Sequence, residues 1–331
     1  MAQLIAEMFA RHFDNTWLAG QHDAATVPLE NGAPHGGAPH GVGRIVVSTD
    51  GFVISPLFFP GGDIGSLAVH GTVNDVAMAG ARPLYLTCGM IIEEGFALAD
   101  LDAIVRSMAA AARAAGVTIV AGDTKVVERG KGDGIFITTT GIGVAPDGVD
   151  ISADRACPGD AVLISGSIGD HGVAVLSKRE DLRFETELLS DSAALNGLVA
   201  DMVAAVPGIH VLRDPTRGGL AAVLNEIAMA SGIGITVRED AIPIADAVRG
   251  ACELLGLDPL YVPNEGKLVA FCAAADADRL LSVMLAHPLG RHARIIGACT
   301  EDPHRFVQME TSFGGTRIVD WLAGEQLPRI C

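Results

Sequence analysis

The sequence predicts an α/β protein of two domains, and three observations carry that reading. From Arg44 to Met309 short β-branched runs alternate with helical patterns, the signature of layered α/β architecture. The 331 residues are enough for two cores of ordinary size. Midway, Ala145 to Asp160 (APDGVDISADRACPGD) interrupts the alternation with a stretch rich in Pro, Gly and Asp. The expected division is therefore residues 1–150, residues 151–322 and a tail of residues 323–331.

Leu4, Ile5, Met8, Phe9 and Phe13 recur at helical spacing, so an amphipathic helix is expected over residues 2–13. NGAPHGGAPHGVG (residues 31–43) has no periodicity and reads as an exposed loop, His35 and His40 included. A strand follows at Arg44 to Ser48, then a helix of small residues at Gly65 to Gly80 and a strand near Leu84 to Ile92. An alanine-dense helix over Leu98 to Ala115 leads to a strand at Val117 to Ala121, and Ile135 to Val144 closes the first half.

In the second half the strand AVLISG precedes helices at Gly169 to Ser177 and Ser192 to Val203, and Arg213 to Gly219 reads as a turn. Helices at Leu220 to Ala230, Ile244 to Leu255 and Ala275 to Ala286 alternate with strands at Gly234 to Val237 and Lys267 to Cys272. Strands near Arg294 to Ala298 and His304 to Met309 end the pattern.

Composition narrows the function. Half the residues are hydrophobic (49%), yet no apolar run approaches the ~18–20 residues that cross a bilayer. The first residues lack a basic lead and a small-residue cleavage site, so a cytoplasmic protein is expected. A formal charge of −17 excludes a basic surface for nucleic acid. An anionic substrate then needs a metal ion or a local cation. The six cysteines stand singly, without a C-x-x-C pair, which argues against a zinc site or a disulfide framework. Cys88, Cys157, Cys252, Cys272 and Cys299 read as small buried hydrophobes. Cys331 is different, because it is the terminal residue of Pro328-Arg329-Ile330-Cys331. Proline disfavours a helix there, so the thiol sits on an extended probe, and Arg329 is a candidate activator of a group-carrying thiolate.

Polar motifs gather at expected element ends. STDG, TVNDV and AGDTK offer Asp50, Asp75 and Asp123, with Asn74 and Lys125 beside them. Each aspartate alone reads as turn chemistry. Three of them converging on one crevice suit Mg²⁺ with a nucleotide, since hard cations take carboxylate and phosphate oxygens, and Lys125 would offset phosphate charge. In the second half DPTRGG carries Asp214 and Arg217, and NEGK carries Glu265 ahead of the apolar run LVAFC. Partial burial there would raise the Glu265 pKa toward that of a general base. Neither a Walker A sequence nor G-x-G-x-x-G is present, so a nucleotide site must be of another kind.

Taken together, STDGFVISPLFFPGG, GTVNDVAMAGARP, GDTKVV, SGSIGDHG, RDPTRGGL, NEGK and the closing PRIC resemble the HypE family of hydrogenase maturation factors, in the aminoimidazole-ribonucleotide synthetase (PurM-like) superfamily. The resemblance implies a two-domain PurM-like fold. Its N-terminal domains would pair into a dimeric β-barrel, its C-terminal domain would be an α/β sandwich, and its C-terminal tail would be mobile. It also implies a carbon–oxygen lyase, an ATP-dependent carbamoyl dehydratase that turns an S-carbamoyl group on Cys331 into a thiocyanate. The cyanide would supply the iron of a [NiFe] hydrogenase. The implied partners are a second copy, the carbamoyltransferase HypF and the HypC–HypD iron scaffold.

The roles it carries over are Asp50, Asp75 and Asp123 for Mg²⁺ and Asn74, Thr124, Asp214 and Arg217 beside ATP. Cys331, Lys125 and Glu265 would do the chemistry, Glu265 as the base, with His171 and His287 as proton carriers. Superfamily members carry a glycine-rich phosphate-covering segment ahead of the first helix, whereas Met1-Ala2 here leads directly into it; if that segment has been lost, ATP would bind poorly although the fold survives. The alternatives are a superfamily kinase or synthetase acting on a free small molecule, and a non-catalytic maturation scaffold.

Overall fold

The computed structural model describes residues 24–27, 44–182, 188–321, 327 and 329–331. The expected helix over residues 2–13, and the loop of residues 31–43 with His35 and His40, lie outside the described residues.

The N-terminal half begins with β1 (Ala25–Val27), β2 (Arg44–Phe52) and a short hairpin of β3 (Phe58–Phe59) and β4 (Gly62–Asp63). Helix α1 (Ile64–Met78), strand β5 (Arg82–Glu93), helix α2 (Leu98–Ala115) and strands β6 (Thr118–Val127) and β7 (Ile135–Ala145) follow. Five strands form one mixed sheet in the order β1-β2-β7-β5-β6, in which only β5 and β6 run parallel.

Helix α1 starts where Asp63 accepts the Gly65 and Ser66 backbone N–H groups while the Ser66 hydroxyl returns to the Asp63 backbone, a reciprocal cap. It is buried along most of its length, which its small residues allow. A Cβ at Gly65 would lie 2.4 Å from the Ile104 carbonyl, so α1 and α2 cross in near backbone contact. Helix α2 is amphipathic, buries Ile104, Met108 and Ala112, and stops at Gly116 in the left-handed conformation.

Two strands outrun their expected ends. β2 continues through Asp50 to Phe52 because β7 pairs with it along its whole length, and β6 continues through Asp123 to Val127 alongside β5. Asp50 and Asp123 are thus interior strand residues, not turn residues.

The C-terminal half contains β8 (Asp160–Ile164), α3 (Asp170–Arg179), α4 (Asn196–Ala205), β9 (Ile209–Arg213), α5 (Gly219–Ser231), β10 (Gly234–Arg238) and α6 (Asp246–Leu255). Then come β11 (Val269–Ala273), α7 (Ala277–Ala286), β12 (Arg294–Thr300), β13 (Val307–Glu310) and β14 (Thr316–Ile318). The seven strands form a second mixed sheet, ordered β14-β13-β10-β12-β8-β11-β9. β8 is buried throughout, as its unbroken apolar run requires. Leu220, Leu224 and Ile227 of α5 pack on one face of the sheet, and Leu198 and Met202 of α4 pack with Leu280 and Met284 of α7 on the other. β9 and β14 escape the sequence reading because each is a short edge strand without a long apolar run.

Cys88, Cys252, Cys272 and Cys299 are buried, and burial pushes the Cys252 thiol up to about 11 and those of Cys272 and Cys299 up to about 12. Cys157 corrects the reading, since it is exposed. Its backbone N–H donates to Asp160, which also bonds His210 Nδ1 at 2.7 Å, a staple between the start of β8 and β9.

Candidate active site

Between the two halves lies a cavity of about 270 Å³ lined by Asp50, Asp75, Asp214, Arg217, Glu265 and Cys331, with Thr49, Gly51 and Thr216 at its walls. β2 brings Asp50, α1 brings Asp75, the loop after β9 brings Asp214 and Arg217, and the approach to β11 brings Glu265. Six residues that the sequence reading singled out therefore meet in one place.

The cavity is a concentration of carboxylates out of water. Asp50 and Asp75 share a hydrogen bond, and Ser48 Oγ donates to Asp75 Oδ2 at 2.6 Å. Burial raises the pKa of Asp50 and pushes Asp214 up to about 6. Burial, reinforced by Asp214, Asp191 and Asp50, lifts Glu265 well above the usual carboxylate range, and Glu265 Oε1 has no hydrogen-bond partner among the described residues. Arg217 works against all this, lowering both Asp50 and Glu265. It is the local cation that a negatively charged chain needs for an anionic substrate. Two carboxylates this close need a shared proton or a cation between them, so Asp50 and Asp75 fit a hard divalent ion.

Glu265 is held from behind by Asp191, which the sequence reading missed. Asp191 Oδ1 accepts the Glu265 backbone N–H at 3.1 Å and Oδ2 pairs with Lys267 Nζ at 3.0 Å. A Cβ at Gly266 would lie 1.7 Å from the Asp191 carbonyl, so only glycine fits between the two segments. Asn74 corrects an expectation. Its Nδ2 donates to the Ala193 and Glu265 carbonyls and its Oδ1 accepts from the Leu195 N–H, so its polar atoms bridge the two halves and do not face the cavity.

The chain's end occupies the cleft. The Val53 N–H donates to the Cys331 backbone oxygen at 3.1 Å and the Ser55 N–H to the Arg329 carbonyl at 3.2 Å, so the end of the tail adds alongside residues 53–55. Arg179 Nη2 grips the Arg329 and Ser55 carbonyls together. Ile330 is 2% exposed, and its carbonyl lies 2.8 Å from His171 Nε2. The Cys331 sulfur sits 3.8 Å from Arg217 Nη2, and burial, with Glu265 adding to it, pushes the thiol up to about 12.

Arg329 is not the neighbouring activator, because its guanidinium binds Asp133 and the Val53 carbonyl instead. His171 is fully buried and bonded at both nitrogens, and His287 caps the turn at Leu289. Neither is placed as a free proton carrier.

Asp123, Thr124 and Lys125 stand apart. Within one chain they do not line this cavity but lie on edge strand β6, where Lys125 Nζ pairs with Asp123 Oδ2 at 2.6 Å. A shallower groove beside them is lined by Cys88, Met90, Met108 and Val120.

Two mixed-sheet domains closing on an acidic cleft define the class. The model of the AIR synthase related protein N-terminal domain matches residues 21–145, and that of the C-terminal domain matches residues 157–310. The chain is 65% identical to the carbamoyl dehydratase HypE of Cupriavidus necator, over 100% of this chain and 91% of that protein. A crystal structure of a HypE–HypF complex matches with a TM-score of 0.89 at 50% identity, covering 96% of this chain and 99% of that one. A HypE structure in complex with ATP matches with a TM-score of 0.84 at 50% identity, covering 100% and 96%. The chain belongs to the AIR synthase related proteins and, among them, to the carbamoyl dehydratase HypE family.

Proposed function

We propose that this chain is an ATP-dependent carbamoyl dehydratase acting on its own terminal cysteine, and that it supplies cyanide for the iron of a [NiFe] hydrogenase. The observation that carries the reading is the Cys331 sulfur lying against Arg217 in a cavity shared with Glu265 and the Asp50–Asp75 pair. A tail with no role in the chemistry gains nothing from a seat there, which disfavours a kinase acting on a free small molecule.

In the cleft the bare thiol is a poor nucleophile, because its pKa is pushed far above its ordinary value. The carbamoyl group is therefore loaded with the tail outside, by a carbamoyltransferase of the HypF kind. Docked again, Cys331 holds the carbamoyl carbon in the cavity. ATP, when bound, supplies the phosphoryl group that makes the amide oxygen a leaving group. Arg217 neutralises charge that develops on the oxygen and phosphate. Glu265 takes the N–H proton, for which its raised pKa suits it once ionised. Glu265 thus accepts one N–H proton, the other leaves with the departing phosphate, the C–O bond breaks, and the carbon is left as the nitrile of a thiocyanate. Asp50 and Asp75 would hold Mg²⁺, which screens phosphate charge. Cyanide then passes to an iron scaffold of the HypC–HypD kind, a transfer that takes two electrons and a proton from a dithiol or iron–sulfur reductant on the acceptor side and returns Cys331 as the thiol.

The active form is a homodimer. β6 is the edge of its sheet and is exposed nearly throughout, with Val120 and Val126 facing outward. Such a strand is a template for pairing with a second copy. Pairing there would cover those residues and bring Asp123, Thr124 and Lys125 to the nucleotide site of the pair.

The direct test is mass spectrometry of the Glu-C peptide Gln326–Cys331 after incubation with ATP and a carbamoyl-donating system. Gain of a carbamoyl group followed by loss of water on Cys331 is the expected result. A carbamoylated peptide that never loses water overturns the reading, and retention of full maturation by Cys331→Ala would favour a scaffold.

A further inference from the structure

The tail's contacts differ in kind. The Ser55 N–H, Arg179 and Asp133 hold Arg329, which is exposed, and the Val53 N–H and Arg217 reach the backbone oxygen and the sulfur of Cys331. A fully buried side chain holds the Ile330 carbonyl, in the peptide unit that precedes Cys331. His171 Nε2 lies 2.8 Å from the Ile330 carbonyl, and a carbonyl only accepts, so Nε2 carries the hydrogen. Nδ1 is then the acceptor for the Ser190 hydroxyl at 2.8 Å. Ser190 Oγ in turn accepts the Ser192 N–H at 3.1 Å, and the Ser190 N–H donates to the Pro60 carbonyl at 2.8 Å.

The ring is built into this position. It is fully buried, with the Phe59 ring edge-on at 5.5 Å, and burial lowers its pKa, which keeps it neutral. It rides near the start of α3. The next residue is Gly172, where a Cβ would lie 2.4 Å from Val262, so a larger residue would push α3 and the ring away from the cleft. Asp191, next to Ser190 in the chain, holds the Glu265 backbone and Lys267.

We propose that His171 is the positioning residue that seats the tail: its Nε2–H fixes the Ile330 carbonyl and so the depth of Cys331, and its Nδ1 ties that seat to the Ser190–Asp191 turn behind Glu265. The role rests on the dehydratase reading for its purpose, but the seat itself is read without any turnover.

The experiment is timed alkylation of the resting protein with iodoacetamide, each cysteine being followed by mass spectrometry. Exposed Cys157 serves as the reference, and buried Cys252, Cys272 and Cys299 report general loosening. His171→Leu is expected to speed Cys331 labelling about tenfold or more relative to Cys157, the value of a buried hydrogen bond. His171→Gln, which keeps a donor near the Nε2 position, restores most of the protection. In the dehydration assay His171→Leu lowers the rate of water loss while loading of carbamoyl onto Cys331 stays at the wild-type rate or rises.

Wild-type labelling of Cys331 in His171→Leu overturns the proposal. Should that variant also label the three buried cysteines, Ser190→Ala decides: faster Cys331 labelling supports the seat and wild-type labelling overturns it. Failure of the dehydratase reading looks different, namely a wild-type tail that is loaded yet never loses water, whatever its labelling rate.

Discussion

Asp50, Asp75, Asp214 and Glu265 face one another in the cleft between the two halves, while Asp123 stands three strands away from Asp50, on the edge of the N-terminal sheet. In the first group burial raises the pKa of Asp50, Asp214 and Glu265. In the second, hydrogen bonds from Lys125 and the Thr124 backbone lower that of Asp123, which is open to water. Acidity here follows surroundings, not residue type. The cleft stores unfavourable charge that a cation, a proton or a substrate can relieve, whereas the edge strand stores almost none. The cleft should therefore respond strongly to substitution, pH and metal, and the edge should respond only when a second copy or a nucleotide covers it.

The largest expected effect is at Glu265. Glu265→Gln keeps the shape and the backbone contacts to Asn74 and Asp191 but removes the carboxylate proposed as the proton acceptor. Water loss from the carbamoylated Cys331 peptide should fall by about 10²–10⁴-fold with carbamoyl loading unchanged. A wild-type rate would move the base elsewhere and weaken the contrast at its centre.

Next is the Asp50–Asp75 pair. If its crowding is relieved by a divalent ion, millimolar Mg²⁺ raises the Tm of the wild-type protein by a few degrees through linkage. Asp75→Asn, which also alters the bond from Ser48, should abolish that rise and give a higher Tm than wild type in the absence of metal. A Mg²⁺ response that survives in Asp75→Asn would detach the ion from this pair.

Asp214 sharpens the contrast through pH. Its folded pKa is about 6 against 3.8 in the open chain, so the fold favours the protonated form. Its contribution to stability is fully present below about pH 3.8 and is lost as pH rises through about 6. Asp214→Asn, which does not titrate, should exceed wild type in stability by about 1–3 kcal/mol at pH 8, with the gap closing between pH 6 and pH 4. Denaturant midpoints across that range measure it, and a gap that widens on acidification would reverse the sign of the argument.

Much of this was legible in the residues themselves. The helix over Leu98–Ala115 has the bounds its pattern predicts, since amphipathic spacing and a left-handed Gly116 mark it without help from distant contacts. Asp50, Asp75, Asp214, Arg217, Glu265 and Cys331 were gathered from short motifs and meet in the cavity.

What stayed hidden depends on contacts between distant segments. Asn74 looks like a ligand beside Asp75, but helix geometry turns it toward Ala193 and Leu195, more than a hundred residues away. Asp191 carries no motif of its own, and its role exists only because Gly266 lets the two backbones touch. Arg329 sits next to Cys331 in sequence and points to Asp133, while Arg217 supplies the charge beside the sulfur. Strand ends at Asp50 and Asp123 were misplaced for the same reason, since β7 and β5 extend those ladders past the residues that look like turns.

The smallest expected effect is that of Asp123 on stability, and it tests the edge most directly. The Asp123–Lys125 pair is solvent-exposed on both sides, and such pairs contribute little, so Asp123→Ala should shift Tm by no more than about 1–2 °C. Its effect on turnover should be much larger if β6 serves the nucleotide from within a dimer. Mixing Asp123→Ala with Glu265→Gln, each expected to turn over only slowly alone, then separates two arrangements. Where each site draws Asp123 from one copy and Glu265 from the other, a mixed pair carries one intact site and one doubly damaged site. Random exchange then restores about a quarter of wild-type activity. Where both residues serve the same subunit's site, no mixed pair contains an intact one and activity stays at background. Restoration makes the exposed strand and the buried cleft two halves of one centre joined by pairing; its absence confines the chemistry to a single chain.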